Sequence, residues 1–247
     1  VRRRFFVEGF DSHSAALRGE VAEHLGRVLR AEPGQLYELS DGHRVWLGRI
    51  ERVALAKRGE SRIDFALVEP VPAREPSVQI DLLLSLVKFD RFEWCLEKAT
   101  ELGVREVIPL AAARADKPLV AAASKRRTRW EKILLESAQQ ARRLGPPSIR
   151  EPVSPEKAFA QCSASTRIVL SERPGAPSVR EVLRGEAPGG GPSVAALAIG
   201  PEGGWTDSEI AAAKAAGFGE VSLGENILRT ETAVLASMAI LRFALGE

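Results

Sequence analysis

The stretch 197–233, LAIGPEGGWTDSEIAAAKAAGFGEVSLGENILRTETA, constrains the fold more than any other part of the chain, because it holds two strand-to-helix junctions of the same physical type. In the first, an apolar run over 194–199 ends in Gly200-Pro201-Glu202-Gly203-Gly204, and the spacing of Thr206 and Glu209 predicts a capping box that starts a helix. In the second, a strand expected over 221–223 ends at Gly224, and a helix is predicted to begin near Thr230-Glu231-Thr232. Glycine at such a junction lets a ligand approach the backbone, and the free N–H groups of a helix start offer it donors. Two such junctions predict a ligand pocket at the carboxyl ends of neighbouring strands in an open α/β sheet. The ligand stays unnamed at this level, and GPEGG taken alone reads equally well as a tight turn.

The segment before these junctions carries the pattern of a parallel sheet. An apolar run over 80–86 suits a buried strand. An amphipathic helix follows, with Phe92, Cys95, Leu96, Ala99 and Leu102 on one face and Gly103 at its end, and then a strand over 104–110. Strand, helix and strand at this spacing make a βαβ unit. A second amphipathic helix is expected over 125–144, with Trp130 as a core anchor, then a strand over 167–171, a short helix over 179–184 and a loop over 185–192. The last helix, expected over 231–245, is apolar on nearly every side. One sheet covers only one stripe of such a helix, so a subunit interface is expected there.

Residues 1–71 read differently, as short β-like runs over 4–7, 35–39, 45–50, 53–56 and 63–68, with a turn at Asp41-Gly42. One helix is expected, with Leu17, Val21, His24 and Leu25, and Val28 at helical spacing and Pro33-Gly34 as its stop. This is a small β-barrel with one helix. The proline-rich residues 69–76 read as the link to the second domain, which places the domains at 1–71 and 77–247 with 72–76 between them.

The 247 residues are 45% hydrophobic, enough for one or two cored domains. No apolar run approaches the roughly 18 residues of a membrane span, and no apolar segment of signal type follows the arginine-rich start, so a cytoplasmic protein is expected. Cys95 and Cys162 stand apart from each other and from the histidines, which indicates neither a disulfide framework nor a metal site. Net charge is +2 but uneven: residues 124–150 carry eight Lys/Arg against two Asp/Glu, and 151–247 carry eight against twelve. Local basic patches on a near-neutral chain suit a polyanion met at defined places, or an ordinary solvated helix face.

In order and spacing, IGPEGG, T-x-x-E-I, SLG and ILRTETA resemble the SPOUT-class RNA methyltransferases, specifically the RsmE family, which methylates N3 of a uridine in 16S ribosomal RNA. EKATELGV over 97–104 is similar to that family's K-x-T-E-L-G-V segment, and Gln140 and Arg143 match its Q-x-x-R. RRFFV, HLGRVLR and the Asp-Gly hairpin are similar to the PUA-like RNA-binding domain that precedes the catalytic domain in the family. The chain departs from the family at Glu23, where a histidine usually stands before His24, and at Phe89, where Lys88-Phe89-Asp90-Arg91 replaces Lys-Gly-Asp-Arg.

The resemblance implies an α/β protein: an N-terminal PUA-like β-barrel, then a SPOUT domain with a mostly parallel sheet and a trefoil knot, which packing rules alone would not suggest. It implies S-adenosylmethionine as cofactor, cradled by Leu197, Ile199, Gly200, Pro201, Glu202, Gly203, Leu223, Gly224, Ile227, Leu228, Arg229, Thr230, Thr232 and Ala233, without a metal. It implies 16S ribosomal RNA within the small subunit as partner and a homodimer through the C-terminal helix. Arg3, Arg4, Arg27, Arg30, Lys88, Arg114 and Gln140 are the candidate RNA contacts, although Arg27 and Arg30 also suit a helix C-terminus on general grounds.

Methyl transfer from a sulfonium needs alignment more than covalent help, and positioning alone supplies on the order of 7 kcal/mol or more in favourable cases. Uridine N3 carries a proton and lies on the pairing edge, so the base must be unpaired and the N3 anion stabilised. Arg229 is the first candidate for that electrostatic role and Arg143 the second, with Glu202 or Glu231 as base; both carboxylates also suit helix starts on general grounds. The competing readings are a SPOUT enzyme of another RNA site and a non-catalytic RNA-binding assembly factor. A nucleotide-phosphate binder ranks last, because the P-loop and dinucleotide fingerprints are missing.

Overall fold

The computed structural model describes residues 3–56, 59–73, 76–183 and 193–246. The loop expected over 185–192, and Arg74 and Glu75 of the expected link, lie outside them. The chain divides into two compact units, one of residues 1–75 with 138–146 and the other of 76–137 with 147–247. Among the described residues no helix is long and apolar enough to cross a membrane.

The first unit is a curled half-barrel of β1 (Arg4–Phe6), β2 (Ser14–Arg18), β3 (Leu36–Ser40), β4 (Val45–Ala54) and β5 (Arg62–Val71), in the order β1-β3-β4-β5-β2. β1 runs parallel to β3 and every other pair is antiparallel. Register shifts in β4 at Leu47/Gly48 and Ile50/Arg52 mark the irregularities that bend such a sheet. Phe5, Leu17, Leu25, Leu39, Ile50, Ile63 and Phe65 fill its concave side.

Two expectations for this unit are corrected. Leu17 belongs to β2 and not to the helix, because Ala15 and Leu17 are buried in alternation with Ser14 and Arg18, the period of a strand. The helix is only α1 (Gly19–Glu23) and a wider turn over His24–Val28; Arg30, at φ +52, ends it before Pro33-Gly34. The proline-rich residues 69–71, expected in the link, complete β5 opposite Val45, Trp46 and Leu47. Segment 138–146 joins this unit through Ser40, whose Oγ donates to the Leu144 carbonyl at 2.6 Å, and through Arg142 beside Glu38.

The second unit is a six-stranded parallel sheet of β6 (Val78–Ser85), β7 (Val104–Leu110), β8 (Ser148–Ile149), β9 (Thr166–Leu170), β10 (Ser193–Ile199) and β11 (Gly219–Val221), ordered β11-β9-β10-β6-β7-β8. Helices α2 (Phe89–Glu101), α3 (Lys117–Ala123), α4 (Arg127–Gln140), α5 (Pro155–Ala160), α6 (Val179–Leu183), α7 (Asp207–Ala215) and α8 (Thr230–Ala244) connect and follow them. Both sheet faces are covered, which is why residues 82–84 of β6 and 194–199 of β10 are unbroken apolar runs. On one face Leu82, Leu84, Leu96, Trp130, Val234 and Met238 form a core; on the other Leu83, Phe159, Val169, Trp205 and Ile210 do so.

The helix expected over 125–144 is shorter: a tight turn spans Ser124–Arg126, α4 begins at Arg127, and Arg142, at φ +54, ends the segment two residues after α4; α3, which precedes it, was not expected. α5 was not expected, although Ser154 followed by Pro155 is a standard helix start. Along α8, Val234, Met238 and Leu241 are buried, worth about 1.5–3 kcal/mol each, while Phe243 on the outer side is 84% exposed.

The start of α7 is fixed by the capping box that the sequence predicts. Thr206 Oγ1 accepts from the Glu209 amide at 3.3 Å, and Glu209 Oε2 accepts from the Thr206 amide at 2.8 Å. Glu209 is 1% exposed, and its other oxygen accepts from the Ala113 amide at 2.8 Å, tying the end of β7 to the start of α7. Thr206→Ala should cost about 1 kcal/mol in urea denaturation, and Glu209→Ala about 2–3 kcal/mol, because it removes the charge-assisted bonds to both the Thr206 and the Ala113 amides. Equal costs would show that the tie to Ala113 contributes nothing.

Candidate active site

Strands β9, β10 and β11 end side by side, and the loops leaving them enclose a cavity of about 1180 Å³. Its walls are 170–178 after β9, 199–205 after β10 and 222–230 after β11, closed by the first turn of α8. Every lining residue belongs to the second unit. The cavity thus sits where a parallel sheet leaves room for a ligand.

Trp205 joins two of these walls. Its Nε1 donates to the Leu170 carbonyl at the end of β9, at 2.8 Å, and its ring lies against Gly200. A Cβ on residue 200 would stand 2.9 Å from Trp205 Cε2, closer than packed atoms tolerate, so glycine is required there. The wall after β11 is set by Ser222, whose Oγ donates to the Gly224 carbonyl and accepts from the Gly224 amide. α8, unlike α7, has no side-chain cap at its N-cap residue Arg229. Its first-turn N–H groups, orphaned by helix geometry, lie at the cavity wall formed by Arg229, Thr230 and Ala233 and suit an anionic or carboxylate group. Apolar surface from Ile199, Leu223, Leu228 and Ala233 suits a flat ring beside it.

Of the expected cofactor residues, Ile199, Gly200, Pro201, Glu202, Leu223, Gly224, Ile227, Leu228, Arg229, Thr230 and Ala233 line the cavity. Leu197 is buried within β10 and does not, and neither Gly203 nor Thr232 is part of the lining. Arg229 is exposed on the wall with no ion-pair partner among the described residues. Glu202 lines the cavity too, but its carboxylate is paired with Arg91. Glu231 is turned away: its Oε2 is buried without a partner, and its charge, after burial itself, helps push the Cys95 thiol up to about 12. Neither carboxylate is therefore presented to the cavity as a free base. Among the described residues no cluster of His, Cys, Asp or Glu could hold a metal ion.

The expected RNA contacts fall in several places. Arg4 is 7% exposed and gives both Nε and Nη2 to Glu38 in a buried ion pair. Arg3 and Arg30 are exposed, and Arg27 donates to the Ala56 carbonyl. Lys88 is exposed at the start of α2. Arg114 lines the cavity, held by the carbonyls of Gly203 and Trp205. Gln140 and Arg143 belong to the first unit. Sequence reasoning missed the loop after β9, with Ser171 and Arg173, and it missed Arg91. The carboxyl-end rule applied to every predicted strand, including the one over 167–171, would have found the loop; Arg91 reaches the cavity only through the tertiary fold.

Comparison with known proteins sets the class first. A family model described as an RNA methyltransferase domain matches residues 74–242. The ribosomal RNA small subunit methyltransferase E of a Synechocystis strain is 31% identical over 87% of this chain and 68% of its own length. That of Bacillus subtilis is 28% identical over 98% of this chain and 96% of its own. The solved Neisseria gonorrhoeae enzyme of the same name, bound to S-adenosylmethionine, superposes with a TM-score of 0.79 at 27% identity, over 98% of each chain. A Legionella pneumophila methyltransferase with bound cofactor gives 0.82 at 28% identity, over 99% of this chain and 98% of its own. The chain belongs to the ribosomal RNA small subunit methyltransferase E family.

Gly200→Ala should push the Trp205 ring off the Leu170 carbonyl. The expected result is a loss of about 1–3 kcal/mol in denaturant unfolding and a red shift of tryptophan emission in the folded state. Wild-type stability and emission would show that the loop yields without strain.

Proposed function

We propose that this protein transfers a methyl group from S-adenosylmethionine to N3 of a specific uridine in 16S ribosomal RNA of the small ribosomal subunit. The observation that carries the reading is the cavity itself, built by IGPEGG after β10, SLG and ILRTETA after β11 and the loop after β9, in a family whose solved members hold S-adenosylmethionine.

The sulfonium supplies an already activated methyl group, so the chain's task is to bind, align and stabilise charge. The walls after β10 and β11 hold the donor by backbone and apolar contact, and the uncapped start of α8 receives its carboxylate. Arg229 stands at the same wall and stabilises the uridine anion as the N3 proton leaves. Each pH unit between the proton's affinity and neutrality costs about 1.4 kcal/mol, which a desolvated guanidinium can offset. With Glu202 paired and Glu231 turned away, the proton passes to solvent.

The first unit serves as a PUA-like RNA-binding domain, with Arg3, Arg27, Arg30, Gln140 and Arg143 as RNA contacts; Lys88 contributes from the second unit. The outer side of α8, with Phe243 84% exposed, is covered by a second copy in a cytoplasmic homodimer, and the C-terminal segment is threaded as a trefoil knot, as the family resemblance implies. An exposed aromatic on an apolar helix supports an interface.

The test is methyl transfer from labelled S-adenosylmethionine to small subunits lacking the modification, followed by primer extension. One stop at a single uridine is expected, because an N3 methyl group blocks pairing. Label on a ribose would assign a different RNA site. Arg229→Ala should bind S-adenosylmethionine within about threefold of wild type and lose at least about a hundredfold in turnover; turnover near wild type would contradict the electrostatic role.

A further inference from the structure

The wall formed by loop 200–205 is held by two arginines that come from other strand ends and themselves line the cavity. Arg114, in the connection after β7, donates from Nη1 to the Gly203 carbonyl at 2.9 Å and to the Trp205 carbonyl at 3.3 Å. Arg91, in the first turn of α2, pairs with the Glu202 carboxylate. Gly203 also abuts Arg114 closely: a Cβ there would lie 3.2 Å from Arg114 Cβ.

These bonds lock two peptide planes at both ends. The peptide between Gly203 and Gly204 has its oxygen on Arg114 and its N–H on the Pro201 carbonyl at 2.8 Å. The peptide between Trp205 and Thr206 has its oxygen on Arg114 and its N–H on Glu209 at 2.8 Å. Neither plane can rotate without breaking two hydrogen bonds, so together they form a rigid frame behind Gly200, Pro201 and Glu202.

We infer that Arg114 and Arg91 are positioning residues that clamp loop 200–205 for the methyl donor, rather than RNA contacts, and that Glu202 is the anchor of Arg91. The inference rests on the donor-binding reading above. It assigns the work of these arginines to cofactor affinity, which RNA phosphates would not report.

The test measures S-adenosylmethionine affinity by calorimetry without RNA, and RNA affinity as a function of salt, for Arg114→Ala, Arg114→Lys, Arg91→Ala, Glu202→Gln and the Arg91→Ala/Glu202→Gln pair. Arg114→Ala should weaken cofactor binding at least about tenfold, with Arg114→Lys recovering part of it and the salt slope of RNA binding unchanged. Arg91→Ala and Glu202→Gln should each weaken it about threefold, and the pair no more than either alone, as coupled partners do. Unchanged cofactor affinity with an RNA salt slope reduced by about one would overturn the inference and make the arginine a phosphate contact. If the wild-type protein binds no S-adenosylmethionine, the donor reading fails by itself, and amide exchange decides the clamp. Arg114→Ala must then accelerate exchange at Gly204 and Thr206, and protection equal to wild type there rejects it.

Discussion

The buried carboxylate of Glu209 is the contact on which the cavity depends. Burying it would be costly alone, but it accepts from the Ala113 amide, the Thr206 amide and the Thr206 hydroxyl, each at 2.8 Å. Those bonds fix the start of α7 to the end of β7. The loop from β10 to α7 therefore runs between two fixed points, a central strand and a tethered helix start, and has little freedom of its own. Trp205 adds a third attachment, to the end of β9. A wall built this way can present backbone groups to a ligand without reordering on binding, which is how a site of glycines achieves alignment.

What the sequence revealed follows from where each signal lives. The capping box, the glycine-rich junctions and the parallel βαβ unit were legible because local residues set them: Thr206 with Glu209, Gly200, and the apolar runs of β6 and β7. β2 was not legible, because a short strand and a short helix both put Leu17 and Val21 on one face, and only burial of Ala15 opposite Phe65 separates them. α3 was not legible because its seven residues are too few to show a helical apolar period. The pairing of Arg4 with Glu38, 34 positions apart, has no local trace at all.

The candidate site shows the same limit in chemical form. Residue types pointed to loops that the fold brings together, since eleven of the expected cofactor residues line one cavity. Roles were harder to read, because an arginine or a carboxylate acts according to its partner. Arg229 faces the cavity unpaired among the described residues, while Arg114 is held by two carbonyls and Glu202 by Arg91. Arginines alike in sequence are therefore separated by their partners: Arg229 is left free at the cavity wall and Arg114 holds a loop, a distinction that only tertiary contacts reveal.

On the proposed function, the methyl donor is gripped by backbone at the ends of β9, β10 and β11. Hydrogen exchange of the whole protein, with and without saturating S-adenosylmethionine, addresses it most directly. The account predicts slowed exchange in 199–203 and 223–233, with exchange in the half-barrel of residues 3–73 unchanged. Cofactor binding that left both segments unprotected, or that protected the half-barrel instead, would contradict it.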